Sequence, residues 1–135
     1  KKNNQKQPKL LPPMEYKTTD GFRVLVGRNN MQNDKLSLKT ASKSDMWLHT
    51  QHSPGSHVII CGDGNDISDL SIEQAAAIAA YYSKVRESSH VPVDYTRVKH
   101  LKKPNKGKTG MVIYYEYWTI TVDPDKELVE RLRVK

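Results

Sequence analysis

Apolar and polar residues alternate near the start of the chain. Phe22, Val24 and Val26 occupy every second position, and a second β-rich run covers residues 14–19. The dipeptide Asp20-Gly21 separates the two runs and is typical of a tight hairpin turn. The pattern therefore predicts an antiparallel hairpin over residues 14–26, with a two-residue loop.

Further strands are predicted by short runs rich in β-branched and aromatic residues. Residues 46–49 and 57–61 are two such runs, separated by a turn at Pro54-Gly55-Ser56. Residues 91–101 form a longer run that polar residues interrupt. Residues 111–122 are also β-rich, and we expect a second hairpin there with its turn near Tyr117 or Trp118.

Helical spacing of apolar residues predicts three helices. The first covers residues 31–42, and the last covers residues 123–132. The clearest helix begins at Ser71, where Gln74 completes a capping box, and its alanine-rich stretch continues to about residue 87. Together the elements predict a single α+β domain, with a mostly antiparallel sheet and helices packed against it.

The whole chain has the composition of one polar, basic domain. It has 135 residues, 36% of them hydrophobic, a mean hydropathy of -0.73 and a net charge of +7. No apolar stretch approaches the roughly 20 residues of a membrane span, and the basic N-terminus lacks the apolar region of a signal peptide. The single cysteine, Cys61, excludes an internal disulfide framework and favours a cytoplasmic location.

The first residues differ in composition from the rest. Residues 1–13 have little apolar content and are predicted to be a flexible basic tether, which leaves residues 14–135 as the domain. The chain does not begin with Met, so we expect it to be part of a larger protein.

Positive charge is concentrated in one segment of the domain. Residues 97–115 contain six Lys or Arg and no acidic residue, whereas residues 61–96 carry a net charge of -4. Such localised charge favours binding to a polyanion, although a solvated face would have the same composition. We expect phosphate contacts from the cationic side chains Arg28, Lys43, Lys99, Lys102, Lys103, Lys106 and Lys108.

Polar side chains that could bind RNA also cluster at residues 27–34, directly after a predicted strand. Amides carry both donors and acceptors, which suits the edges of bases as well as loop fixation. The alternative is that Asn30 or Asn33 only caps the following helix while Arg28 is solvated. The candidate RNA-binding residues in this segment are Arg28, Asn29, Asn30, Gln32 and Asn33.

Three rings around the turn at residues 54–56 are further candidates. Trp47, His49 and His57 could shape a surface that stacks unpaired bases, or they could belong to the core. A zinc site with His52 is not favoured, because positions i and i+3 of a strand face opposite sides.

Several catalytic patterns are absent from the sequence. Adjacent Ser56 and His57 do not form a nucleophile–base pair. Gly107-Lys108-Thr109 lacks the first glycine of a phosphate-binding loop. We therefore expect no enzymatic activity, no metal and no cofactor.

Several segments in order resemble the NFACT-R domain of NFACT proteins, over about residues 16–122. They are residues 27–34, 45–49, 54–58 and 92–96, followed by Lys103-Pro104 and Gly107. The match of residues 91–96 and of the lysine-rich loop indicates the bacterial branch of this family.

The resemblance implies a non-catalytic module that contacts RNA, either tRNA or ribosomal RNA, and the large ribosomal subunit. It also implies a longer protein with an N-terminal NFACT-N domain, a helix-hairpin-helix region and a coiled coil. Such factors bind obstructed large subunits and support alanine tailing of stalled chains. Some members carry a fibronectin-binding label, so a protein-interaction module is the alternative, and no membrane partner is implied.

Overall fold

The computed structural model describes residues 10–135, in which six strands form one sheet. The strands are β1 (Met14–Lys17), β2 (Arg23–Val26), β3 (Met46–Thr50), β4 (Val58–Cys61), β5 (Val91–Arg97) and β6 (Trp118–Val122). Their order is β1-β2-β4-β3-β5-β6, and every neighbouring pair is antiparallel. The predicted α+β fold is confirmed.

Helical elements cover both faces of this sheet. They are α1 (Asn30–Lys35), the π-helical segment Leu36–Thr40 that continues it, α2 (Asp69–Tyr81), the 3₁₀ turn Val98–His100 and α3 (Lys126–Leu132). The helix predicted over residues 31–42 is therefore shorter and changes its winding after Lys35.

Alternation along the central strands divides the buried residues into two clusters. Met46 and Leu48 of β3 face α2 and α3, whereas Trp47 between them points to the opposite face. In β4, Ile60 lies on the same face as Met46 and Leu48, and Ile59 lies on the same face as Trp47. Strands buried on both faces read as continuous apolar runs, which explains why β3 and β4 are recognisable from the sequence.

The first face of the sheet packs against alanines of α2. Ala75, Ala76, Ala79 and Ala80 are each at most 1% exposed. Because their side chains are small, the helix axis lies close to the strands. The second face is covered instead by the π-helical segment and by residues 101–114, which have little regular structure.

Several predicted boundaries are wrong. Helix α2 ends at Tyr81 and not near residue 87, and α3 begins at Lys126 and not at residue 123. The first hairpin has a loop over residues 18–22, because the Thr18 carbonyl and hydroxyl accept the N–H groups of Gly21 and Phe22 and hold a wider turn. Helix α2 begins after Ser68, whose Oγ accepts the Ser71 N–H at 3.1 Å. Ser71 is inside the helix, and its hydroxyl donates to Thr18.

The predicted second hairpin does not form. β6 begins at Trp118 and pairs with β5, whereas residues 111–117 are irregular apart from a backbone bridge between Ile113 and Lys102. β5 itself ends at Arg97, where the 3₁₀ turn begins. The aromatic residues that suggest a strand therefore lie in a covering loop.

Gly27 is expected to be intolerant of a side chain. A Cβ there would lie 1.8 Å from Oδ1 of the buried Asn33. We expect Gly27→Ala to lower the free energy of unfolding by about 2 kcal/mol, because the core must shift to relieve the overlap. Urea unfolding measures the loss.

Gly62→Ala is the matched control, because its Cβ would lie no closer than 3.3 Å to the Ile67 side chain and 3.4 Å to the Asn65 carbonyl oxygen. Equal losses in the two variants would show that the close approach to Asn33 does not matter.

Candidate nucleic-acid interface

The polar segment at residues 27–34 is occupied largely by contacts within the chain. Asn29 is the N-cap of α1, and its side chain accepts the Gln32 N–H at 2.9 Å. Gln32 in turn accepts the Arg28 N–H and donates to the Leu11 carbonyl. Arg28 Nε donates to the Pro12 carbonyl at 2.7 Å. Helix α1 is therefore capped, but by Asn29 and not by Asn30 or Asn33, and Arg28 bonds Pro12 and is not only solvated.

Asn33 has a different role from its neighbours. It is 3% exposed, and its Oδ1 accepts the backbone N–H of His57 at 3.1 Å. Its side chain therefore joins α1 to the residue before β4 and cannot reach a ligand as placed. Asn30, by contrast, is exposed beside Gly110.

His57 links α1 to the lysine-rich loop. Its Nε2 lies 2.9 Å from the Gly110 carbonyl, and its Nδ1 lies 2.8 Å from the Ser37 hydroxyl. A carbonyl only accepts, so Nε2 carries the proton and Nδ1 accepts from Ser37. Burial, together with the neighbouring His49, lowers the pKa of His57 to about 4, which keeps the ring neutral.

Lys103 closes the loop onto α1. Its Nζ donates to the Asp34 carboxylate at 3.0 Å and to the carbonyls of Lys108 and Met111 at 2.6 and 2.9 Å. Asp34 also accepts the Gly110 N–H at 2.9 Å. We refer to Asp34, His57, Lys103 and Gly110 together as the loop clasp.

The other predicted lysines, unlike Lys103, form no side-chain hydrogen bond or ion pair within the described residues. Lys106 and Lys108 are exposed on the loop that the clasp holds. The structure brings a second group together at one end of β3 and β5, where the Lys99 N–H donates to the Lys43 carbonyl at 3.0 Å. Lys102 lies between the two groups along the chain. We refer to the five exposed lysines together as the lysine strip: Lys43, Lys99, Lys102, Lys106 and Lys108.

The rings of Trp47, His49 and His57 pack against one another beneath the segment that carries the lysine-rich loop. Trp47 is 1% exposed and contacts the rings of His49, His57 and Tyr114 at centroid distances of 5.7, 5.4 and 4.8 Å. The structure therefore favours the core alternative for Trp47 and His57. His49 is half-buried, and burial lowers its pKa.

A buried carboxylate fixes the segment after the loop. Asp94 is 3% exposed and accepts hydrogen bonds from Gln51, Thr119 and Tyr114 at 2.9, 2.8 and 2.7 Å. Burial, with Asp94 beside it, raises the pKa of Tyr114. The anchored phenol holds residues 112–114 over Trp47.

Sequence reasoning does not identify three exposed aromatic residues that follow this anchor. Tyr115, Tyr117 and Trp118 are 80%, 46% and 58% exposed. The available signal is the aromatic run Tyr-Tyr-Glu-Tyr-Trp at residues 114–118, which the β-rich pattern assigns to a hairpin instead.

Other candidate sites have less support. Among residues 10–135, no three His, Cys, Asp or Glu side chains are grouped so that they could hold a metal ion. No helix of the described part of the chain is long and apolar enough to cross a membrane.

The single cysteine is not an activated thiol. Cys61 is half-buried, and burial raises its pKa to about 11, so the thiol is protonated at neutral pH.

Comparison with known proteins identifies the domain. A sequence model of the family described as "NFACT protein RNA binding domain" matches residues 13–116. The chain belongs to this family. The resemblance seen in its motifs is therefore confirmed, and RNA binding is the property by which the family is described.

Curated relatives agree with this assignment. The chain is 46% identical over 133 residues to the Rqc2 homolog RqcH of Bacillus subtilis, and 41% identical over 135 residues to that of Streptococcus suis. These alignments cover 98% and 99% of this chain but only 23% and 24% of the relatives. The chain thus spans about a quarter of their length.

A solved structure has the same fold. It is the C-terminal part of the fibronectin/fibrinogen-binding protein of Streptococcus suis, with a TM-score of 0.91 and 42% sequence identity. The match covers 97% of this chain and 53% of the solved one.

Removing the Lys103 ammonium is expected to loosen the loop clasp. We expect Lys103→Met to lower the free energy of unfolding by about 1 kcal/mol, because Asp34 loses its ion pair and two carbonyls lose a donor. Urea unfolding measures this loss. Lys106→Met, which removes an exposed charge from the same loop, should change stability by less than about 0.5 kcal/mol. Equal changes would contradict the assigned role of Lys103.

The buried imidazole predicts a pH dependence of stability. The pKa of His57 is about 4 in the folded protein, against an ordinary value of 6.5. The unfolded chain therefore binds more protons between these values, and the free energy of unfolding should fall as the pH is lowered from 6.5 towards 4. Urea unfolding at several pH values should show a shallower decline in His57→Gln. The same slope in both proteins would exclude His57 as a source.

Proposed function

We propose that this domain is a non-catalytic RNA-binding module whose contact surface is the strip of exposed lysines next to α1. The observation that carries the proposal is the attachment of a lysine-rich loop to α1 by hydrogen bonds and an ion pair, in a chain of the NFACT RNA-binding domain family. Lysines on an anchored loop neutralise phosphates without the loop first having to be ordered.

The proposed partner is the large ribosomal subunit, through ribosomal RNA, tRNA or both. The relationship to proteins named as Rqc2 homologs supports a role in ribosome-associated quality control. In that role the longer protein would bind obstructed large subunits in the cytoplasm and support alanine tailing of stalled chains. Residues 14–135 would be its RNA-contacting domain, preceded by a basic tether. Residues 1–9 of that tether lie outside the described part of the chain.

Side-chain exposure narrows the set of residues proposed to contact RNA. Lys43, Lys99, Lys102, Lys106 and Lys108 remain, because their side chains are exposed and, unlike those of Asn29 and Lys103, form no hydrogen bond within the described residues. Arg28 and Asn30 are exposed beside them and remain secondary contacts. The other candidates hold the surface in place: Asn29, Gln32, Asn33, Trp47, His49, His57 and Lys103.

A protein contact is the alternative function. The solved Streptococcus suis relative is described as a fibronectin/fibrinogen-binding protein, which motivates it. Salt dependence separates the two functions, because phosphate neutralisation releases counterions whereas an apolar protein contact does not.

The test is a salt series of binding to tRNA and to isolated large subunits. We expect the combined change of Lys99, Lys102, Lys106 and Lys108 to Ala to reduce the slope of log affinity against log salt. The reduction should be about 0.7 to 0.9 for each phosphate that the variant no longer neutralises. Lys103 is left in place so that the loop keeps its position.

The matched control changes four exposed lysines outside the strip to Ala, which alters the net charge equally: Lys17, Lys84, Lys126 and Lys135. If both quadruple variants lose the same affinity, binding is diffuse charge attraction and the proposed surface is wrong. Salt-insensitive binding to fibronectin, without RNA binding, would support the alternative.

A further inference from the structure

The two edges of the sheet differ in how they are protected against pairing with another strand. β1, at one edge, carries Glu15 and Lys17 and is covered by the chain after α3, where the Val134 N–H donates to the Glu15 carbonyl at 3.0 Å. β6, at the other edge, has the sequence Trp-Thr-Ile-Thr-Val, with no charged residue and no proline. Edge strands usually carry charge, proline or a bulge, because an open edge pairs readily with other strands. β6 lacks the charge and the proline.

The ladder between β5 and β6 shows which backbone groups of β6 are already used. In antiparallel strands the N–H and C=O of one residue point to the same side, and successive residues alternate. The Pro92 carbonyl accepts the Gln51 N–H next to β3, so the following residue, Val93, faces β6. Val93 is opposite Ile120. The backbone groups of Ile120 are therefore bonded within the sheet.

The backbone groups on either side of Ile120 point away from the sheet. They belong to Thr119 and Thr121, which are both exposed. Within residues 10–135, neither threonine has a backbone hydrogen bond to any segment beyond the β5 ladder. Each threonine thus presents one N–H and one C=O along the open edge.

The side chains of β6 follow the same alternation. Ile120 and Val122 are partly buried and pack against the cluster beneath α2. Trp118 lies on this face as well, because it stacks on Tyr95 of the same cluster with centroids 5.6 Å apart, yet it is 58% exposed. The two threonines lie on the opposite face. One face of the edge strand is therefore apolar and the other carries hydroxyls.

The order of these residues is self-complementary. If two copies of β6 pair antiparallel with Ile120 opposite Ile120, then Trp118 lies opposite Val122, and Thr119 lies opposite Thr121. Each pair of threonines exchanges two backbone hydrogen bonds, so every outward group of both strands has a partner. Aromatic and β-branched side chains meet on one face and threonines on the other, which are favourable cross-strand pairs.

We propose that β6 is a dimerisation edge, at which two copies of this chain join their sheets by antiparallel pairing centred on Ile120. A second copy fits this edge because the register leaves no outward backbone group unpaired and brings no two charges together. One strand pair is smaller than the roughly 1,000 Å² of a stable interface, so the dimer should form only at about 0.1 mM chain or above.

Sedimentation equilibrium of the 135-residue chain over a concentration series tests the pairing. Thr121→Pro removes an outward N–H from each copy and spares the β5 ladder, since an edge strand accepts proline where its N–H faces outward. It should weaken association at least about tenfold, because each dimer loses two hydrogen bonds. Thr121→Val is the matched control: it keeps the N–H and should associate like the unchanged chain. Thermal unfolding verifies that both variants are folded.

Cross-linking tests the register, because residue 120 is the one position that lies opposite itself. Non-hydrogen-bonded partners have Cα atoms about 4.5 Å apart, which a disulfide can span. In a chain that also carries Cys61→Ser, Ile120→Cys should form a disulfide-linked dimer with oxidised glutathione. Thr121→Cys in the same chain should cross-link much less, since its thiol would lie opposite Thr119 of the other copy.

Three results would overturn the inference. The first is a chain that stays monomeric at every concentration up to about 1 mM. The second is equal association of Thr121→Pro and Thr121→Val, which would place the contact on another surface. The third is equal cross-linking of the two cysteine variants, which would exclude this register. If the chain stays monomeric and Thr121→Pro alone loses binding to large subunits, the edge instead receives a strand of another protein.

Discussion

The position of the lysine-rich loop depends on one buried imidazole and one ion pair. His57 bonds both Ser37 of the π-helical segment and the Gly110 carbonyl, and the Asp34–Lys103 pair closes the same loop from its other side. The parts involved are separated by up to 76 residues in the chain. Without these bonds the lysine-rich loop would be held to the rest of the domain mainly at its two ends, where Leu101 and Val112 pack against the Trp47 cluster.

The need for these bonds follows from the asymmetry of the sheet. One face packs against regular helices, whose backbone groups are satisfied internally. The other is covered largely by irregular chain, whose buried N–H and C=O groups require partners. Side chains of Asp34, His57 and Lys103 supply them around the loop, and Asp94 anchors the segment that follows through Tyr114. The polar residues of the segments that resemble the NFACT-R domain are therefore explained first by their hydrogen bonds, which hold an irregular loop over the sheet.

The sequence could predict the sheet because strands buried on both faces have continuous apolar runs, as in β3 and β4. It could not separate Ser68 from Ser71 as the cap of α2, since both are serines at suitable spacing from the apolar residues. Nor could the sequence show that the Lys103 and Arg28 side chains bond within the chain and not only to a ligand. An ammonium or guanidinium suits a phosphate and a carbonyl equally well, and only the fold brings Asp34 within 3.0 Å of a lysine 69 residues away.

The residues that carry the family resemblance and those proposed as the main RNA contacts are therefore largely different. The segments by which the chain resembles NFACT-R domains, residues 27–34, 54–58 and the Lys103-Pro104 pair, include Asp34, His57 and Lys103, which hold the loop. The lysines proposed to contact RNA, among them Lys43, Lys106 and Lys108, lie between or beyond those segments. A motif that specifies a scaffold identifies the domain reliably, yet it leaves open which RNA is bound. Within one family the scaffold could thus present different exposed side chains to different RNA structures, with the loop held in the same place.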